Sequence, residues 1–104
     1  MKVYGYCRIS TSKQSMERQI RNIKLAYPDA VIVKETYTGT KIQGRKEFEK
    51  LLKIVSTGDT LVFDSVSRMS RTAQEGYEMY QKLYNQGVSL VFLKEPHINT
   101  STYQ

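Results

Sequence analysis

Tyr4-Gly5-Tyr6-Cys7-Arg8-Ile9-Ser10-Thr11 is the stretch from which the rest of the chain is read. It begins as a strand and ends as a loop handing over to a helix, which sets Arg8 and Ser10 at the carboxyl end of the strand. Open α/β sheets place their chemistry there. Side chains alternate along a strand, so Tyr6, Arg8 and Ser10 project to one side and Cys7 and Ile9 to the other. A hydroxyl two residues past a guanidinium, ahead of a helix amino terminus, suits a nucleophile with an anion clamp. The same Ser10 or Thr11 suits a helix cap, where Ser and Thr lead. Spacing alone leaves both roles open.

Downstream, Met16, Ile20, Ile23 and Tyr27 recur at helical spacing and predict an amphipathic helix over about 12–27. Thr11 and Gln14 fit a capping box, and Gln19 sits beside the apolar seam. Pro28-Asp29 breaks the helix. Ala30-Val31-Ile32-Val33 reads as a buried parallel strand. Residues 35–44 lack periodicity and read as a mobile surface loop. Phe48, Leu51, Leu52 and Val55 mark a second helix from about Arg45 to Val55, and Leu61-Val62-Phe63 a third strand. A loop over 64–71 leads to a third helix with Thr72 and Glu75 as its capping box. Its predicted seam is Ala73, Tyr77, Tyr80 and Tyr84, with Leu83 beside it. Gly87 ends that helix, 88–93 reads as a fourth strand, and 95–104 reads as a tail without periodicity.

This βαβαβαβ order, repeating about every 28–30 residues, has the length of βαβ units. The expected fold is α/β: three layers, a doubly wound, mostly parallel sheet of four to five strands, and helices on both faces.

The 104 residues make one domain, with 39% hydrophobic and 25% charged residues, ordinary for a folded protein. The net charge of +6 is concentrated: residues 1–52 hold 11 Lys and Arg against 5 Asp and Glu, while 53–104 hold 5 against 5. That asymmetry fits an anionic partner such as a phosphate backbone. One cysteine excludes an internal disulfide and, with one histidine, cannot build a zinc site. Cys7 also fails the Cys-x5-Arg phosphatase pattern, because Lys13 occupies the arginine position. There is no apolar run long enough for a membrane span and no signal-peptide core, so a cytoplasmic protein is expected, with no cofactor and no metal.

The three strand-to-helix loops share one edge. They bring Arg8 and Ser10, then Arg45, then Arg68 and Arg71. Arginine is the planar, permanently charged fork that matches phosphate oxygens. A single such arginine is ordinarily solvated surface; four at loop ends beside one serine form a constellation.

Tyr4 through Thr11, Gln14, Gln19, Gly44-Arg45, Ser67-Arg68-Met69-Ser70-Arg71 and Gly87-Val88-Ser89-Leu90 together resemble the serine recombinases, the resolvase/invertase family. The likeness covers nearly the whole chain, 1–104, and corresponds to the family's amino-terminal catalytic domain. It implies a site-specific DNA recombinase of bacterial or mobile-element origin. Ser10 would be the nucleophile that forms a 5′-phosphoserine link to DNA, with Arg8, Arg45, Arg68 and Arg71 neutralising the phosphate. Tyr6, Gln14, Gln19 and Ser67 would support or position it. The resemblance also implies independence of metal and ATP, and homo-oligomers: a dimer on each DNA site and a tetramer in the synapse.

Ser67 departs from the family pattern, which usually has an acidic residue before that arginine, so no general base is assigned. Thr38-Gly39 replaces a common Ser-Gly. The family's long dimerisation helix and separate DNA-binding domain are not among these residues, so the fragment is expected to bind DNA weakly and not to recombine alone. Two rivals remain. A receiver domain would need acidic residues after the first strand, where Arg8-Ile9-Ser10-Thr11 stands. A catalytically silent nucleic-acid-binding or assembly module is favoured by the tyrosine-rich third helix.

Overall fold

In the computed structural model, residues 2–9, 13–36, 46–66 and 73–99 are described. Strand β1 (Val3–Ile9) leads to helix α1 (Lys13–Ala26), strand β2 (Val31–Thr36), helix α2 (Lys46–Ile54) and strand β3 (Thr60–Phe63). Helix α3 (Ala73–Asn85), strand β4 (Ser89–Phe92) and a 3-10 turn (Pro96–Ile98) follow. Among the described residues the sheet has four strands, all parallel, in the order β2-β1-β3-β4. The chain therefore winds outward both ways from the β1/β3 boundary, as the alternation of strands and helices predicts. That boundary is the switch point at which doubly wound sheets form a crevice.

The two faces carry separate cores. On one, Cys7 and Val62 meet Met16 and Ile23 of α1. On the other, Tyr4, Tyr6, Leu61, Phe63, Leu90 and Phe92 meet Phe48 and Leu51 of α2 and Leu83 of α3. Aromatic rings run across this second face: Phe48 lies 4.8 Å from Tyr6 between centroids, Tyr6 6.0 Å from Phe63, and Phe63 stacks on Phe92 at 5.3 Å. Tyr80 of α3 continues the row at 6.1 Å from Phe92. Tilted and offset rings of this kind add to what area burial alone supplies.

The predicted seams of α1 and α2 hold. The seam of α3 is rotated: Leu83 is fully buried with Met79 and Tyr80 against the core, while Tyr77 is 65% exposed and Tyr84 also faces out. Both assignments satisfy a 3.6-residue period and share Tyr80, and the packing chose the row that adds Met79 and Leu83 over the one that adds Tyr77 and Tyr84. The helix then ends in a Schellman motif. Gly87, at φ +82°, donates its N–H to the Tyr84 carbonyl, and Val88 donates to Leu83.

Two loop assignments change. Glu35 belongs to β2 and is buried, so the strand runs past the predicted boundary. The segment after β4 is anchored: Tyr80 donates its hydroxyl to the Ile98 carbonyl at 2.6 Å, and the Phe92 N–H donates to Asn99 Oδ1 at 2.7 Å. Local side-chain bonds replace the missing periodicity there.

Gly5 sits where α1 crosses β1. A Cβ at this position would lie 2.7 Å from Ile23 Cγ2 and 3.0 Å from Ile32 Cδ1. Gly5→Ala is expected to destabilise the domain by about 1–3 kcal/mol through overpacking, read as a lower urea midpoint.

At the opposite edge, the Asp59 carboxylate accepts the N–H groups of Lys2 and Ser56, both at 3.0 Å. The Lys2 N–H, and then that of Ser56, hold its pKa below the ordinary 3.8, outweighing the opposing effect of burial. A depressed folded-state pKa makes this stabilisation complete above the unfolded-state value. It is lost as pH falls through the folded-state value. Wild type is therefore expected to lose urea resistance relative to Asp59→Asn as pH drops from 6 to 2, and parallel curves would contradict that assignment.

Candidate active site

The carboxyl edge is built around an inequality in strand length. β1 pairs with β2 as far as Ile9↔Thr36, but with β3 only as far as Tyr6↔Phe63. In a parallel ladder the main-chain groups of alternate residues aim at the same neighbour. Lys2 shows which set faces β3, since its carbonyl accepts the Thr60 N–H. Arg8 belongs to that set and lies beyond the end of β3. Gln19 of α1 takes the place of the missing strand: Arg8 N–H donates to Gln19 Oε1 at 3.1 Å, and Gln19 Nε2 donates to the Arg8 carbonyl at 3.2 Å. Gln19 is 1% exposed, so its amide is committed to this pairing. An uncompensated pair of buried main-chain groups would be costly.

Tyr6 and Arg8 are buried on β1, which ends at Ile9, one residue before Ser10 in the sequence. The Tyr6 hydroxyl donates to Glu35 Oε1 at 2.9 Å. The same carboxylate accepts the N–H of Phe48 at 3.1 Å and, through Oε2, that of Glu47 at 3.2 Å. Those are first-turn amides of α2, which have no partner within the helix. Glu35 thus fastens the residues directly after Arg45 to the strand carrying Arg8. The sequence reading missed Glu35 because it closed β2 at Val33. Period-two alternation carried two residues further puts Glu35 on the Val33 face.

At the end of β3, Asp64 is buried on the α1 face, opposite to Tyr6. Its carboxylate accepts Asn22 Nδ2 at 3.0 Å and pairs with Lys94 Nζ at 3.4 Å. It is therefore turned away from the Arg8 side.

Of the residues singled out from sequence, Arg8 and Gln19 are hydrogen-bonded to each other, and Tyr6 lies two residues before Arg8 on the same strand with its hydroxyl on Glu35. Ser10, Arg45, Ser67, Arg68 and Arg71 lie outside the described residues, as do the Gln14 side chain and the capping residues Thr11 and Thr72. Among the described residues no three His, Cys, Asp or Glu side chains cluster as metal ligands would. No described helix is long and apolar enough to cross a membrane.

Residues 3–104 match the family model "Resolvase, N terminal domain". The chain belongs to the resolvase family. It is 34% identical over 93 residues to the transposon Tn501 resolvase of Pseudomonas aeruginosa, covering 88% of this chain and 46% of that one. It is 30% identical over 98 residues to a resolvase of Clostridium perfringens, covering 93% and 51%. A crystal structure of a resolvase family site-specific recombinase from Streptococcus pneumoniae superposes with a TM-score of 0.71 at 30% identity, covering 97% of this chain and 76% of that one. The chain spans about half the length of the curated relatives it matches.

Within this resolvase-family domain, Gln19→Ala removes both side-chain hydrogen bonds from Gln19 to the Arg8 backbone. It is expected to cost about 1–3 kcal/mol, measured as a shift in the urea midpoint at unchanged slope.

Proposed function

We propose that this domain is the catalytic part of a site-specific DNA recombinase that cuts and rejoins strands through a 5′-phosphoserine intermediate. The Ser10 oxygen attacks the phosphorus, the bond to the 3′ oxygen breaks, and the 3′-hydroxyl departs with a proton. One ester replaces another, so the bond energy is kept for rejoining and ATP has no role. Arg8, Arg45, Arg68 and Arg71 supply the cationic field for the five-coordinate transition state, a task that metal ions perform in many nucleases. Tyr6, Gln14, Gln19 and Ser67 are positioning groups.

The observation that supports the reading is that the described elements flanking these residues in the sequence end at one rim. Gln19 clasps the backbone of Arg8, two residues before Ser10. Glu35 joins Tyr6 to the amides just after Arg45. β3 ends beside the same strand, at the pair Tyr6↔Phe63, and Arg68 follows five residues later in the sequence. Arg18, Arg21 and Lys24 stand exposed along α1, in line with an anionic polymer as partner. In the intact protein we place a dimer on each DNA site and a tetramer in the synapse, inside a bacterial cell.

The intact protein, incubated with a nicked suicide substrate, is expected to become covalently attached to DNA through Ser10. Ser10→Ala should abolish attachment while retaining DNA binding in a gel shift. Attachment by Ser10→Ala would overturn the assignment. A wild-type protein that binds DNA without ever attaching would favour the silent binding module.

A further inference from the structure

The residues after β4 grip the end of β3 more tightly than the sheet requires. Beyond the last ladder pair, Phe63↔Phe92, the Lys94 N–H donates to the Asp64 carbonyl at 3.0 Å, and Lys94 Nζ pairs with Asp64 Oδ2 at 3.4 Å. Glu95 then reaches back across 29 positions, and its Oε1 accepts the Val66 N–H at 3.0 Å. The Lys94 side chain is 56% exposed, so its ion pair contributes little. A carboxylate accepting a main-chain N–H is the stronger of the two attachments.

Glu95 is itself held in place. Its N–H donates to the Phe92 carbonyl at 3.2 Å and its carbonyl accepts the Ile98 N–H at 3.0 Å. The ring of Pro96 follows directly and limits its backbone. The turn it opens is pinned by the Tyr80 hydroxyl and by Asn99. Val66 is the residue immediately before Ser67-Arg68-Met69-Ser70-Arg71.

We infer that Glu95 is a positioning residue for strand cleavage: by fixing the Val66 N–H it sets where the segment bearing Arg68 and Arg71 leaves the sheet. This rests on the recombinase reading above. Its physical basis is that displacing a catalytic cation by about 1 Å costs roughly 100-fold in rate.

The test compares wild type, Glu95→Ala and Glu95→Gln in the intact protein. Phosphoserine formation is followed on nicked suicide DNA and noncovalent affinity is followed by gel shift. Exchange of the Val66 amide with solvent is measured alongside. Glu95→Ala is expected to slow covalent attachment by about 10- to 100-fold at unchanged affinity and to speed Val66 exchange. Glu95→Gln keeps an acceptor oxygen and should recover most of both. The inference is overturned if Glu95→Ala attaches at the wild-type rate, if Glu95→Gln is as slow as Glu95→Ala, or if the loss is matched by lost affinity. Failure of the wild-type protein to attach at all would instead refute the recombinase reading, and the positioning role with it.

Discussion

β1 outruns β3 by three residues at its carboxyl end, and the candidate site depends on that mismatch. A central strand with a partner missing on one side exposes main-chain groups in a position otherwise walled by protein. Such groups must find partners or be wetted. Here the partner is a side-chain amide from the first helix, which can donate and accept at once and so imitates one residue of a strand. The result is an edge at which β1 stays paired with β2 past Arg8 while, among the described residues, no strand lies beside it beyond β3.

Carboxylates do a matching job on the other elements at this rim. Glu35 gathers Tyr6 and the first amides of α2, so β1, β2 and α2 share one acceptor. Glu95 joins the segment after β4 to the segment after β3. Asp64 links α1 and the segment after β4 on the opposite face. In each case hydrogen-bond donors or a cation occupy the carboxylate oxygens, which offsets the cost of taking a carboxylate out of bulk water. The effect is a rim whose loops start from fixed points even though the loops are irregular in sequence.

Much of the architecture was legible without coordinates because hydrophobic periodicity reports directly on burial. Met16, Ile20 and Ile23 read as one face of α1 and pack as one; Phe48, Leu51, Leu52 and Val55 do the same for α2. The pattern became ambiguous where two rows were both apolar enough, as on α3, where Tyr77 and Tyr84 yielded the core to Met79 and Leu83. It was blind to polar residues working inside the protein. Glu35 looked like the start of a loop and Glu95 like part of a tail, since a charged residue gives no periodic signal of its burial.

The chain by itself determined the alternation of strands and helices, the basic amino-terminal half and the order of Tyr6, Arg8, Ser10, Gln19 and the downstream arginines. These follow from local preference and from the identity of the residues, which need no partner to be read. Tertiary structure alone decided which strands lie side by side, that β3 stops short of Arg8, and which polar side chains bridge the gap. Those outcomes depend on hydrogen bonds between residues far apart in the chain, such as Lys2 and Asp59, 57 positions apart, or Asn22 and Asp64, 42 apart, whose geometry no local pattern encodes.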